Sequence, residues 1–261
     1  MKHQPCLILF FVAAVLFSNC ASHGPAYLGN TGAYLTKPNY NGQRAGGFSF
    51  GGRLNKGYVY YAEEQNKSFE LSGNISLLWK NFYLAGGLFG YGGKYHIDRD
   101  TSIRVSLKPF GYEGFGQRFE IGARIPLEPK LDLLVGISEE MFSQRGDYED
   151  ETDGEVEEIF GDAFTLGIDG FGIGYNLDLR FTPSPNSNIG LLYTWDTVVG
   201  NADNPPLGYM NLDYTHRLTL HGTLNRLSAY AQVGFTNTGQ DMYSVGLSYA
   251  FPFWQKQSQA K

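Results

Sequence analysis

Tyr243-Ser244-Val245-Gly246-Leu247-Ser248-Tyr249-Ala250-Phe251-Pro252-Phe253 alternates without a break. Its odd positions are Tyr, Val, Leu, Tyr, Phe and Phe, and its even positions are Ser, Gly, Ser, Ala and Pro. A β-strand has a side-chain period of two, so this stretch has one apolar face and one small or polar face. Its length matches the ~9–11 residues that a tilted strand needs to cross a bilayer, and its aromatic end falls where a membrane interface would lie. The stretch is therefore read as the lipid-facing strand of a membrane barrel.

Other segments repeat the pattern. Phe69, Leu71, Ile75, Leu77 and Trp79 oppose Glu70, Ser72, Asn74 and Ser76; Phe119, Ile121, Ala123 and Ile125 oppose Arg118, Glu120 and Arg124. Met210, Leu212, Tyr214, Leu218 and Leu220 oppose Asn211, Asp213, Arg217 and His221, a parity that also sets His216 on the lipid side. In the sixth segment the parity of Phe164, Leu166 and Ile168 shifts to Phe171, Ile173, Tyr175, Leu177 and Leu179, which predicts a bulge near Asp169-Gly170 with Asp178 and Arg180 inside. A charged residue costs up to ~2–4 kcal/mol on a lipid face at the midplane, so these charges belong in a lumen. Glu70, Arg118, Glu120, Arg124, Asp178, Arg180, Asp213 and Arg217 are read as a lumen network that satisfies itself.

Turn residues divide the chain into about ten strands, with eight or twelve as the neighbouring counts: 46–62, 68–79, 82–97, 112–125, 131–143, 163–181, 188–197, 208–221, 226–236 and 242–253. The even connections are short (Lys80-Asn81, Pro126 to Lys130, Pro183 to Ser187, Gly222 to Leu224). Three odd ones are long (His96 to Gly111, Ser143 to Asp162, Asp196 to Leu207). Short inner turns alternating with long outer loops are the signature of an antiparallel up-and-down transmembrane β-barrel. At ten strands the bore is far narrower than that of a water-filled porin of ~16 strands, which argues for a largely side-chain-plugged lumen.

The start of the chain reads as an export signal: Met1-Lys2-His3-Gln4-Pro5 is basic, Cys6 to Phe17 is apolar, and Ser18-Asn19-Cys20-Ala21-Ser22 is a cleavage region. Twelve apolar residues are too few for a spanning helix, which needs ~18 or more. The organisation expected is a signal peptide over 1–19, a linker over 20–44, a barrel over 45–253 and a polar tail over 254–261. Cys20 would be left as a lone cysteine that cannot form an internal disulfide. Leu16-Phe17-Ser18-Asn19-Cys20 resembles a bacterial lipobox, and the resemblance implies that Cys20 is acylated. Ala21 to Tyr27 is similar to the start of small outer-membrane lipoproteins.

From about Gly46 to Phe253 the chain resembles the small outer-membrane β-barrel superfamily of Gram-negative bacteria. The motifs are the alternating strands, their aromatic ends and the terminal strand that closes at Phe253, which barrel-assembly machinery would read. Trp254 to Lys261 follow it, so the aromatic is not the last residue. The resemblance implies outer-membrane location, lipid and lipopolysaccharide as surroundings, and a structural or surface-interaction role.

With 20 Lys and Arg against 26 Asp and Glu, the formal charge of −6 argues against nucleic acid as a partner. Between Asp147 and Asp162, nine of sixteen residues are acidic. Glu149, Glu151, Asp153, Gly154 and Val156 follow a calcium loop, but Phe160 stands where the closing Glu is needed, so no metal site is assigned. Divalent cations bridging this loop to lipopolysaccharide phosphates are one expectation. His96, Asp98, Ser143 and Asp147 sit at outer strand ends, where a rim hydrolase would work, yet nothing in the sequence joins them. No catalytic residue and no cofactor are expected, and a narrow channel is the lesser alternative. The main rival is a soluble lipocalin-like lipoprotein with its apolar faces turned inward around an apolar ligand.

Overall fold

Ten antiparallel strands form one closed barrel in a computed structural model that describes residues 34–37, 42–59, 64–96, 109–145, 170–200, 212–236 and 240–257. They are β1 (Gly42–Val59), β2 (Glu64–Trp79), β3 (Phe82–His96), β4 (Phe110–Glu128), β5 (Leu131–Arg145), β6 (Gly170–Ser184), β7 (Ser187–Gly200), β8 (Leu212–Leu224), β9 (Leu227–Thr236) and β10 (Gln240–Gln257). Each strand pairs with its sequence neighbours, and β1 closes on β10. Closure leaves no edge strand, so each strand of the wall is paired on both sides.

The alternation in the sequence becomes an inside and an outside. On β10, Tyr243, Val245, Leu247, Tyr249 and Phe251 are exposed, while Ser244 and Ser248 are buried. Phe69, Leu71 and Ile75 on β2, and Phe119, Ile121 and Ile125 on β4, are likewise exposed; Glu70, Asn74, Arg118 and Glu120 are buried. The wall is apolar outside and polar inside, the reverse of what a lipocalin-like barrel requires, so that rival is overturned. Glu139 on β5 is an outward carboxylate set among apolar neighbours, half-buried between Phe119 and Ile173. Among the described residues no helix is long and apolar enough to cross a membrane.

Four two-residue turns, Lys80-Asn81, Pro129-Lys130, Pro185-Asn186 and Asn225-Arg226, all lie at one end of the barrel. Each pins itself to the adjoining wall: the carbonyls of Asn81, Lys130, Asn186 and Arg226 accept from the backbone N–H of Arg124, Thr182, Asn225 and Ala250. Asn225 takes the left-handed conformation at φ 55°, which Asn tolerates better than most residues. The fourth turn therefore falls just after Gly222–Leu224, because β8 keeps its ladder through Leu224.

The barrel is longer at both chain ends than the sequence suggested. β1 begins at Gly42, inside the expected linker, and β10 continues through Gln257, inside the expected polar tail, because Gly42 pairs with Gln257. The register shifts between the Gly46–Trp254 and Gly47–Pro252 pairs, which places an irregularity at Pro252-Phe253. Proline lacks an N–H for the ladder, and a bulge is where a strand accommodates it. The bulge expected near Asp169-Gly170 and the segments 163–169 and 208–211 lie outside the described residues, as do Cys20 and the acidic loop.

Candidate functional site

Inward positions of successive strands bring oppositely charged side chains to one level. Arg53 and Glu70 are cross-strand partners on β1 and β2, and the guanidinium donates from Nε at 2.9 Å with Nη2 at 2.7 Å. From β4, Arg118 donates to Glu70 at 2.5 and 2.8 Å and, through Nε, to Glu140 on β5 at 2.7 Å. Arg118 also lies 3.8 Å from the Phe89 ring centroid, a cation–π contact that caps the network on β3. Across the bore, Arg217 on β8 donates to Asp196 on β7. Near the turn end Arg124 pairs with Asp132 at 2.7 Å.

Closer to the turns, the chain itself enters the bore. Tyr34, Leu35, Thr36 and Lys37 are buried inside the barrel, with Lys37 at 1 % exposure. Its Nζ lies 3.0 Å from Glu120 and 4.0 Å from Asp178. Asp178 also accepts from Arg180 at 2.9 Å and faces His221 Nε2 at 2.8 Å. Tyr83 donates to Glu120 at 2.6 Å, Tyr34 OH lies 3.2 Å from His221 Nδ1, and the Thr36 and Ser248 hydroxyls are 2.6 Å apart. The Tyr34 and His221 rings stack with centroids 4.5 Å apart.

Glycine makes room for this layer. Tyr83 lies against Gly122 and Gly136 on the two following strands: a Cβ on Gly122 would meet the Tyr83 ring at 2.6 Å, and a Cβ on Gly136 would collide with its hydroxyl. Only bare backbone there lets the ring lie flat on the wall and reach Glu120.

Of the residues expected in the lumen, Glu70, Arg118, Glu120, Asp178, Arg180 and Arg217 are buried in these networks and Arg124 is near the rim. The side chain of Asp213 lies outside the described residues, although its backbone is part of β8. Sequence reasoning missed Arg53, Asp132, Glu140 and Asp196 as partners. Arg53 and Asp196 share the inward parity of their strands, a signal that a full tally would have found; Glu140 follows Glu139, and no alternation distinguishes two adjacent acids. Lys37 was missed for a different reason, since it belongs to no strand. His216 is on the outside, 2.8 Å from the Tyr193 hydroxyl and stacked on Phe235.

Six cations and six carboxylates make up these pairs. Space is scarce at this level: the void between Leu35, Arg118, Glu140, Asn176, Thr194 and Asp196 is about 30 Å³, room for one or two waters. A larger cavity of about 310 Å³ lies on the turn side, bounded by Thr36, Lys37, Ser76, Asn186, Arg226 and Ser228. Among the described residues no group of three His, Cys, Asp or Glu side chains is placed to hold a metal.

No family model matches the chain, and no curated protein matches it in sequence. Solved barrels resemble it weakly. The KdgM porin in complex with disordered oligogalacturonate is 14 % identical with a TM-score of 0.33, over 78 % of this chain and 99 % of that one. The β domain of the Bordetella autotransporter BrkA is 13 % identical with a TM-score of 0.46, over 79 % and 100 %. An outer membrane channel from Pseudomonas putida F1 is 10 % identical with a TM-score of 0.41, over 84 % and 98 %. At these scores the likenesses carry no argument about what this chain does.

Proposed function

We propose that this chain is an outer-membrane β-barrel whose bore is closed by its own side chains and by the segment Tyr34–Lys37, and that its role is structural or surface-interactive rather than conductive. The observation that carries this is Lys37, a buried ammonium held between Glu120 and Asp178 in the middle of the bore. A charge buried there is tolerable only when paired. The pairing therefore fixes the segment as part of the barrel's interior.

The short-turn end faces the periplasm in this reading, since membrane barrels carry short periplasmic turns. Cys20 as the acylated first residue of the mature chain fits the same geometry. Tyr34 lies fourteen positions beyond it, and at ~3.3 Å per position an extended chain reaches ~46 Å, more than enough to run from the inner leaflet into the bore. Assembly by the barrel-assembly machinery and contact with lipopolysaccharide follow from the location. Catalysis has no part in the proposal.

The test has two readouts. Detergent-extracted membrane fractions run on SDS gels with and without boiling should show faster migration of the unboiled barrel. Planar bilayers should show no steady conductance for the parent chain, and open events for Lys37→Ala. Recovery in the soluble fraction without a gel shift refutes the membrane barrel, and steady conductance by the parent replaces the closed bore with a narrow channel.

A further inference from the structure

Three lysines stand side by side on the outside of the wall. Lys56 on β1 pairs across to Lys67 on β2, and Lys67 pairs across to Lys94 on β3. All three are exposed, and they share the outward parity of Leu54 and Phe69. Among the described residues no ion pair joins any of them to a carboxylate. Like charges directly opposite one another on neighbouring strands repel, so three in one row weaken the bare barrel. An anion laid across the row would reverse the sign of that interaction.

The height of the row identifies the anion. On β2 the outward apolar stretch runs from Trp79 near the turns to Phe69, ten residues further along the strand. At ~3.3 Å per residue and a tilt of ~40° that stretch is ~25 Å tall, the height of the apolar band of a membrane barrel. Lys67 is the next outward position beyond it, at headgroup level on the long-loop end. At the row the wall is hollow. Gly92 faces Phe69 on one side and Glu113 on the other, and with no side chain there a shallow groove of about 580 Å³, open to the outside, lies among the three lysines, Leu54, Phe69 and Gly92. Glu113 on β4 and Asp241 on β10 are the carboxylates on this outward face that flank the row.

We infer that this face is a binding site for the phosphorylated glycolipid of the outer leaflet, lipid A, with a phosphate over Lys56, Lys67 and Lys94 and an acyl chain in the groove. The inference rests on the reading that the long-loop end faces outward. A phosphate bridging neighbouring lysines matches their spacing and sign, and the groove among them is apolar on the side that meets the hydrocarbon. The acidic stretch from Asp147 to Asp162 is not needed for this contact, which distinguishes it from bridging by divalent cations.

The experiment uses the full chain folded in detergent micelles, titrated with diphosphorylated lipid A, with its dephosphorylated form and with phosphatidylglycerol. Lys56→Gln/Lys67→Gln/Lys94→Gln should bind diphosphorylated lipid A about tenfold to a hundredfold more weakly, since three exposed charge contacts are lost. Lys80→Gln/Lys130→Gln, at the turn end, should bind as the parent does, and replacing the three row lysines by Arg should preserve binding. Parent-like binding by the triple Gln variant, or equal affinity of the parent for phosphatidylglycerol or for the dephosphorylated lipid, overturns the assignment. The gel shift on boiling is read on every sample: its absence refutes the barrel itself, whereas a shifted barrel without lipid A preference refutes only this site.

Discussion

Arg118→Met is the sharpest probe of the interior. Arg118 makes close contacts to Glu70 at 2.5 and 2.8 Å and to Glu140 at 2.7 Å, at 5 % exposure. Methionine fills much of the same space but removes the charge. Glu70 keeps Arg53, whereas Glu140 loses its guanidinium and the Phe89 ring loses its cation. Removing one partner of a buried ion pair costs ~3–5 kcal/mol, because the other charge is left in a poor solvent. The expected loss is about 4 kcal/mol, or nearly a thousandfold in the unfolding equilibrium at ~1.4 kcal/mol per factor of ten. Urea titration of the barrel refolded into vesicles, followed by the fluorescence of its three tryptophans, measures this directly. Adding Glu140→Gln to Arg118→Met should recover part of the loss, with a coupling of ~0.5–3 kcal/mol. A loss below ~1 kcal/mol for Arg118→Met would mean that water solvates the freed carboxylate as cheaply as at an exposed surface pair; the bore would then be aqueous and the closed interior wrong.

Three further outcomes follow from the wall. Leu247→Lys, at the centre of the outward face of β10 and 59 % exposed, should destabilise the barrel in lipid by ~2–4 kcal/mol; an unchanged or raised vesicle-folding midpoint would mean that this face meets water. Gly136→Ala places a Cβ against the Tyr83 hydroxyl and should cost ~1–3 kcal/mol by overpacking, with part of that recovered by Tyr83→Phe, which removes the colliding oxygen; a Gly136→Ala barrel as stable as the parent would show that Tyr83 has room to move. Glu139→Leu removes the outward carboxylate between Phe119 and Ile173 and should stabilise the barrel in vesicles by ~1–2 kcal/mol, somewhat less than the cost of a lipid-facing Lys or Arg. A loss of stability there would give Glu139 a polar partner at the wall.

The wall itself was legible in the sequence because a strand's period is two and each face has a single chemistry. Tyr243 to Phe251 and Phe69 to Trp79 declare their outward residues one by one, and the short even connections mark the end where the turns lie, while the count of ten, which the connections left between eight and twelve, is decided by closure of β1 on β10. What alternation cannot express is which inward residue meets which. That depends on the stagger of ten strands around a closed cylinder: Arg118 reaches Glu70, 48 positions away, and Glu140, 22 away, only because β2, β4 and β5 curve around the same level of the bore. The strand ends were misplaced for a related reason, since Gly42 and Gln257 become strand only through each other. The same is true of Lys37. Nothing periodic marks Tyr34-Leu35-Thr36-Lys37 in the sequence, and the closed barrel alone supplies Glu120 and Asp178 from two distant strands as the partners that a buried ammonium requires.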